Sequence, residues 1–257
     1  MSFFIGNSFC NLCQTNEEQL EKELVYCTFG LREKGLLPVK KGFNSARLPS
    51  SDKFSIAYFE NSSWDENVKF HKIDTNNDLN KNNYLSKIKS IYKFELQLHK
   101  TIYELRPDVN AICHTRNHYS IISFEDDTIK KVHGEATLIL GDIPVINREN
   151  YKLNIEDELL INKITDSSLG EPLRPIRTIV IKKNSVLGLG ACVHESRAFV
   201  EILEECAKFY IFAKIFNGPL HVLKLDQLRS LGSRYARSIK FGGRQEQISN
   251  KNTSDVT

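Results

Sequence analysis

The chain has 257 residues, of which 40% are hydrophobic and 26% are charged, with a formal net charge of +3. This length and composition favour one α/β domain with a substantial core over two small domains. The charge is too small to indicate nucleic acid or an anionic membrane as a partner. The longest apolar runs fall short of the roughly 18 residues of a membrane span, and the first residues lack the pattern of a secretory signal, so we expect a cytoplasmic protein.

Residues 1–15 predict a flexible segment that precedes a single domain over residues 16–240. Cys10 and Cys13 form a lone C-x-x-C in this segment. A zinc knuckle needs a second pair of ligands, and none follows at a suitable spacing, so two thiols in a mobile tail are favoured over a metal site. The other four cysteines lie in apolar segments and are predicted to be reduced core thiols: Cys27, Cys113, Cys192 and Cys206.

The first part of the domain predicts a helix followed by strands. Asn16 is a suitable cap for a helix whose apolar residues recur at helical spacing, and Gly35 ends it. Residues 42–48 enter a first strand, residues 53–59 alternate as a second strand, and residues 68–73 form its neighbour. Residues 74–86 contain five asparagines and predict a solvated insertion loop.

A second helix and a buried strand follow, and ionisable side chains gather where the strand ends. Apolar residues at helical spacing predict a helix over residues 90–105, which Pro107 stops. Residues 109–113 are an apolar run typical of a strand that is covered on both faces. His114, Arg116 and His118 come next, at the strand end where open α/β sheets usually place their sites.

The remaining predictions complete the chain. A short helix is predicted over residues 119–124 and a pair of strands over residues 136–140 and 143–146, around a turn at Gly141. Further helices are predicted over residues 154–163, 195–216 and 225–239, with strands over residues 177–182 and 186–190. Residues 241–257 are polar and predict a disordered tail.

The segment "ELQLHKTIYELRPDVNAICHTRNHYSIISF" resembles the signature of the class II aldolase/adducin domain. The resemblance implies a three-layer α/β/α fold around a central mixed, largely antiparallel sheet. It also implies a zinc ion held by three histidines and a helix glutamate that serves as acid/base. Glu95 and His114 match the glutamate and the first histidine. Arg116 stands at the second histidine, and Asn184 or Ser185 stands at the third.

The substitution at Arg116 changes the chemistry that this site can support. A guanidinium stays protonated and offers only donors, so Arg116 cannot bind zinc. It can instead form a charge-assisted contact with Glu95, or bind an anionic ligand. Asn44, Ser45 and Arg47 resemble part of the family's phosphate-binding turn and are candidate ligand-binding residues.

Two functions follow from this interpretation. The first is a class II aldolase/adducin-like pseudoenzyme without a cofactor, which serves as an assembly or binding domain, forms a homo-oligomeric ring or tetramer and possesses a degenerate zinc site. The second is a divergent metal-dependent lyase, epimerase or dehydratase that acts on a sugar phosphate or a related hydroxy-carbonyl compound. In that case Glu95 would be catalytic, and zinc or another divalent cation would be held by Glu95, His114 and His118, with or without a further histidine from elsewhere in the chain.

Overall fold

The structure is a computed structural model that describes residues 16–37, 43–59, 68–74, 85–123, 134–141, 143–146 and 176–216, together with Gln227 and Ser230. In chain order the elements are α1 (Glu17–Glu33), β1 (Phe43–Ala46), β2 (Lys53–Phe59), β3 (Val68–Asp74), α2 (Leu85–Leu105), β4 (Ala111–Thr115), α3 (His118–Ser123), α4 (Gly134–Leu140), β5 (Val145–Ile146), β6 (Thr178–Ile181), β7 (Ser185–Gly190) and α5 (Val193–Ile215).

The strands form a seven-stranded sheet in the order β3-β2-β1-β4-β7-β6-β5. The pair β5 and β6 is parallel, and the other neighbouring strands are antiparallel. Two apolar clusters lie on opposite faces of this sheet, one against α2 and the other against α1 and α5. The predicted three-layer α/β/α fold with a mixed, largely antiparallel sheet is therefore confirmed.

Helix α1 begins and ends as its sequence predicts. The Asn16 side chain accepts a hydrogen bond from the Gln19 N–H at 2.9 Å, which satisfies one of the N–H groups that the first turn leaves unpaired. Gly35 follows the helix with a φ of 72°, a conformation that glycine adopts without steric cost. The buried stripe of the helix packs on the sheet through Leu20, Leu24, Cys27 and Leu31.

Helix α5 packs closely on β7 because two glycines of that strand face it. A Cβ atom added to Gly188 would lie 2.2 Å from the Ser196 carbonyl oxygen, and one added to Gly190 would lie 2.5 Å from the Ser196 backbone nitrogen. Any side chain at these positions would push the helix away from the sheet. The two glycines therefore set the distance between α5 and the strand that lies next to β4.

Two sequence predictions differ from the structure. Residues 136–140 were predicted as a strand, but they lie in helix α4. A short apolar run carries too little periodicity to separate a buried helical turn from a strand. Helix α2 begins at Leu85 and β3 extends to Asp74, so both ends of the predicted loop over residues 74–86 belong to regular elements.

Other predictions are confirmed or lie outside the described residues. The thiols of Cys27, Cys113, Cys192 and Cys206 are buried and reduced, as predicted. The predicted flexible segments, the helix over residues 154–163 and all but two residues of the helix over residues 225–239 lie outside the described ranges. Within those ranges, every helix is too short or too polar to cross a membrane.

Candidate functional site

The candidate site lies between α2 and the middle of the sheet, where β1, β4 and β7 are neighbours. Ser45 of β1, His114 of β4 and Ser185 of β7 each contribute a polar side chain to the same side of the sheet as α2. All three are buried, and the helix adds His99 and Tyr103, which are also buried. One turn of helix separates these last two residues, so both face the strands.

Hydrogen bonds join these side chains into one row, which we call the five-residue network: Tyr103, Ser45, His99, His114 and Ser185. The Ser45 Oγ lies 2.8 Å from the Tyr103 hydroxyl and 2.7 Å from His99 Nδ1. The other nitrogen of that ring, Nε2, lies 3.3 Å from His114 Nδ1. The network ends where His114 Nε2 meets Ser185 Oγ at 2.8 Å. Both ring nitrogens of each histidine are thus engaged.

The network restricts the protonation of its two histidines. When both imidazoles are neutral, each has one donor and one acceptor, and every link can be satisfied with all bonds running in one direction. If both rings were protonated, an N–H of His99 would face an N–H of His114 across 3.3 Å. The two rings stack with their centroids 5.4 Å apart, so two positive charges would also repel each other at short range. At most one ring can therefore hold an extra proton.

Burial also disfavours the charged forms of His99 and Tyr103. The pKa of His99 lies well below its ordinary value, first because the ring is removed from water and second because of the charge of His114. The pKa of Tyr103 is raised, chiefly because burial disfavours the phenolate. His99 and Tyr103 are therefore each held in the uncharged form near neutral pH.

The three candidate phosphate ligands are engaged with the protein itself. Asn44 faces α1, where its Nδ2 donates to Thr28 Oγ1 at 3.0 Å, and its Oδ1 accepts the His114 backbone N–H at 3.1 Å. Arg47 donates to the backbone carbonyls of Val109 and Arg106 and lies over the Tyr103 ring at 4.7 Å. Ser45 belongs to the five-residue network. A phosphate-binding role for these residues stays a prediction.

The remaining candidates are not among the five residues of the network. His118 is exposed and begins α3, whose first N–H groups at Tyr119 and Ser120 donate to the Glu204 carboxylate. Arg116 is half-buried, and its backbone N–H donates to the Leu36 carbonyl. Glu95 is half-buried on α2, one turn before His99. The contact between Glu95 and Arg116, and the roles of both, stay predictions.

The side chains at the three positions of the family's zinc histidines do not suit a zinc ion. Zinc binds a free imidazole nitrogen, a thiolate or a carboxylate, whereas both nitrogens of His114 already have partners. Arg116 offers no lone pair, and the hydroxyl of Ser185, which the structure places against His114, is a poor ligand. Within the part of the chain that the structure describes, no three His, Cys, Asp or Glu side chains converge on one point.

Sequence reasoning missed His99 and Tyr103 as site residues and placed Ser185 only as a substitute for a histidine. A signal for the first two was present, because Glu95, His99 and Tyr103 recur every four residues and therefore share one side of α2. Polar residues at that spacing beside the apolar Leu98 and Ile102 indicate a polar row within a buried helix face. The pairing of the network with Ser45 and Ser185 depends on sheet order, which the sequence does not show.

One protein family and several solved structures are similar to this chain. The family model described as "Class II Aldolase and Adducin N-terminal domain" matches residues 22–211. A comparison with curated protein sequences gave no match. Among solved structures, an aldolase II superfamily protein from Pseudomonas syringae superposes with a TM-score of 0.65 at 17% identity, over 92% of this chain and 95% of that one.

Two further structures share the fold. YgbL from Klebsiella pneumoniae, a putative aldolase/epimerase/decarboxylase, has a TM-score of 0.63 at 18% identity, over 85% of this chain and all of that one. The l-fuculose-1-phosphate aldolase from Thermus thermophilus has a TM-score of 0.59 at 15% identity, over 79% of this chain and 98% of that one. The family match spans most of the chain, and it agrees with the sheet and the three layers described above. The protein therefore belongs to the class II aldolase and adducin N-terminal domain family.

Proposed function

We propose that this protein is a non-catalytic member of its family and serves as an assembly or binding domain. The observation that carries the proposal is the engagement of both His114 ring nitrogens, by His99 on one side and Ser185 on the other. A metal ion at His114 would have to displace one of these partners. It would then lack imidazoles at the two other positions where the family resemblance expects them.

The loss of a metal site would also remove the group that makes retro-aldol cleavage possible. Retro-aldol cleavage develops negative charge on an enediolate, and a divalent cation stabilises that charge as a Lewis acid. Glu95 alone could accept or donate a proton, but it could not stabilise the product anion. His99 is kept neutral chiefly by burial, so this ring does not supply a cation in place of the metal.

An exposed apolar surface supports the assembly half of the proposal. Helix α5 ends in a set of side chains that remain open to solvent together with one residue of α3, and we call this set the α5 end surface: Ile122, Phe209, Phe212, Ile215 and Phe216. Phe216 is 78% exposed and Ile215 is 65% exposed. Tyr119 of α3 packs on Phe212 at 6.0 Å between ring centroids, so α3 and α5 meet beside this surface.

A second copy of this chain is the partner that fits the surface. Members of the family are typically oligomeric, and an apolar centre with a charged rim is the usual composition of such interfaces. Charged groups lie beside the α5 end surface, since Lys208 lies 5.7 Å from the Tyr119 ring and pairs with Glu205. We propose a homo-oligomer that uses this surface.

Metal analysis tests the proposal directly. Protein purified without a chelator is measured for zinc by mass spectrometry, alongside His114→Ala, His118→Ala and His194→Ala. His194 is exposed near the start of α5 and serves as the control. We expect much less than one zinc per chain in all four proteins. One zinc per chain that is lost in His114→Ala and His118→Ala but kept in His194→Ala would instead contradict the non-catalytic proposal and favour the metal-dependent lyase.

An activity assay gives a second, independent check. Because some structural relatives are named as fuculose-phosphate aldolases, l-fuculose 1-phosphate with added zinc is the natural first substrate. We expect no cleavage above the rate without protein. Cleavage that disappears in Glu95→Gln would overturn the non-catalytic proposal and assign the acid/base role to Glu95.

A further inference from the structure

Two buried cysteines meet across the interface between α1 and the central strand. The Sγ atoms of Cys27 on α1 and Cys113 on β4 lie 3.6 Å apart, although 86 residues separate them in the sequence. Each residue is 1% exposed. They lie on the side of the sheet opposite the five-residue network, among the apolar side chains that join α1 and α5 to the strands.

The hydrogen bonds around the two cysteines indicate which thiol donates to which sulfur. The Ser196 hydroxyl donates to the Val193 carbonyl at 2.9 Å, so its oxygen is left to accept from the Cys113 thiol at 3.2 Å. The Cys113 sulfur then accepts from the Cys27 thiol. In agreement, the pKa of Cys27 is raised, first by its hydrogen bond to Cys113 and then by burial. Cys27 is therefore a thiol at neutral pH, and its sulfur is already in contact with that of Cys113.

We propose that Cys27 and Cys113 form a redox site in which a small neutral peroxide closes a disulfide between α1 and β4. A disulfide requires the sulfurs to be about 2.05 Å apart, so they must approach by about 1.5 Å. The burial and the raised pKa of Cys27 make the reaction slow, because the thiolate is the nucleophile.

The reaction balances with hydrogen peroxide as the oxidant. One thiol loses its proton and its sulfur attacks a peroxide oxygen, which breaks the O–O bond, leaves a sulfenic acid and releases one water. The second sulfur then attacks the sulfenic sulfur, the S–O bond breaks, and a second water leaves. Two thiols and one peroxide thus become one disulfide and two waters, with two electrons passed from sulfur to oxygen.

The disulfide would act next to the five-residue network. Thr28 follows Cys27 on α1, and His114 follows Cys113 on β4. Asn44 already bridges these two neighbours, since it donates to Thr28 and accepts the His114 backbone N–H. A covalent bond between Cys27 and Cys113 would fix the same two elements to each other. Oxidation would therefore hold α1 against the strand that carries His114.

Peptide mapping of the folded protein tests the proposal. The wild-type chain is treated with millimolar hydrogen peroxide, quenched with catalase, alkylated in denaturant and digested for mass spectrometry. We expect a cross-linked peptide that joins Cys27 to Cys113, is reversed by dithiothreitol, and raises the midpoint of thermal unfolding. Cys27→Ser and Cys113→Ser should abolish this peptide. Cys206→Ser, which changes a buried thiol on α5, should leave it in place.

Clear results would overturn the proposal. Recovery of Cys27 and Cys113 as alkylated thiols, or as sulfinic acids without a link, would show that the pair does not close. So would a link that forms in urea but not in the folded chain. Circular dichroism of Cys27→Ser and Cys113→Ser confirms that each remains folded, and the wild-type result stands without any variant.

Discussion

Among single residues, His99 gives the network a dependence on pH. In the unfolded chain its pKa is about 6.5, whereas in the fold it is well below this value. The unfolded state therefore binds more protons as the pH falls. The fold is stabilised relative to a state with charged His99, and this stabilisation is fully present above the pKa of His99 in the unfolded chain. It is lost as the pH falls toward the pKa of His99 in the fold, with a slope of about 1.4 kcal/mol per pH unit.

We therefore expect the free energy of unfolding to fall between about pH 7 and about pH 5, as measured by urea denaturation. His99→Gln keeps an amide that can donate and accept but removes the titration, so its slope over this range should be shallower. His194→Gln changes an exposed histidine and should keep the wild-type slope. Equal slopes in all three proteins would show that His99 titrates in the fold as it does in the unfolded chain.

Ser45 links the two side chains of α2 to β1, so its removal should be costly. In Ser45→Ala, both the Tyr103 hydroxyl and His99 Nδ1 lose a buried partner. An unsatisfied buried polar group costs about 1–3 kcal/mol. We expect urea denaturation to show a loss of this size. Ser55→Ala, on the neighbouring strand and also buried, is the matched control and should cost less.

Only some of the network residues could be identified from the sequence. His114 and Ser45 were identified because they lie in motifs that resemble those of the family. The partners of those two residues depend on which strands are neighbours and on which side of α2 faces them. A network that spans three strands and a helix arises from tertiary contacts, which a local pattern does not encode.

At the level of elements, the contact between β7 and α5 should tolerate no side chain. In Gly188→Ala the new Cβ would lie 2.2 Å from the backbone carbonyl oxygen of Ser196, so the helix must move. Overpacking a core typically costs about 1–3 kcal/mol, and here the obstacle is backbone rather than a flexible side chain. We expect a loss at or above the upper end of this range, measured by thermal or urea unfolding.

Gly35→Ala is the matched control for that substitution. Its Cβ would meet nothing within 4 Å, and the cost comes only from a φ of 72°. We expect about 1 kcal/mol, the usual difference between glycine and alanine in this conformation. If Gly188→Ala were as mild as Gly35→Ala, the close packing of α5 on β7 would be refuted.

The elements predicted well from the sequence are those with a long periodic pattern of apolar residues or a clear helix cap. Helix α1 has both, and α5 has 23 residues, so its period is unmistakable. Helix α4 has 7 residues, and its apolar side chains do not distinguish a helix from a strand. Strand β5 has 2 residues and is defined by its parallel pairing with β6.

At the level of the whole molecule, the α5 end surface predicts self-association. We expect light scattering of the purified protein at tens of micromolar to give a mass above the 29.5 kDa of one chain. Phe216→Glu places a charge at the most exposed aromatic of the surface and should lower the mass. Tyr26→Glu, at an exposed aromatic of α1, is the control and should not.

A monomeric mass for the wild-type protein would remove the assembly proposal. A mass that falls equally in both variants would place the interface elsewhere. Circular dichroism of each variant separates dissociation from unfolding. In a closed ring, each subunit meets its neighbours through two different patches, so a single charge on one patch is enough to open every contact.

The position of β4 in the sheet has a consequence for the speed of folding. This central strand pairs with β1 and β7, and 70 residues separate Asn44 from His114, while 71 separate His114 from Ser185. Contacts between residues far apart in sequence form late, because a long loop must close before they stabilise anything. The middle of the sheet therefore cannot assemble during synthesis until β7 has left the ribosome. Until then, the unpaired edge of β4 is a place where a chaperone or another nascent chain can bind.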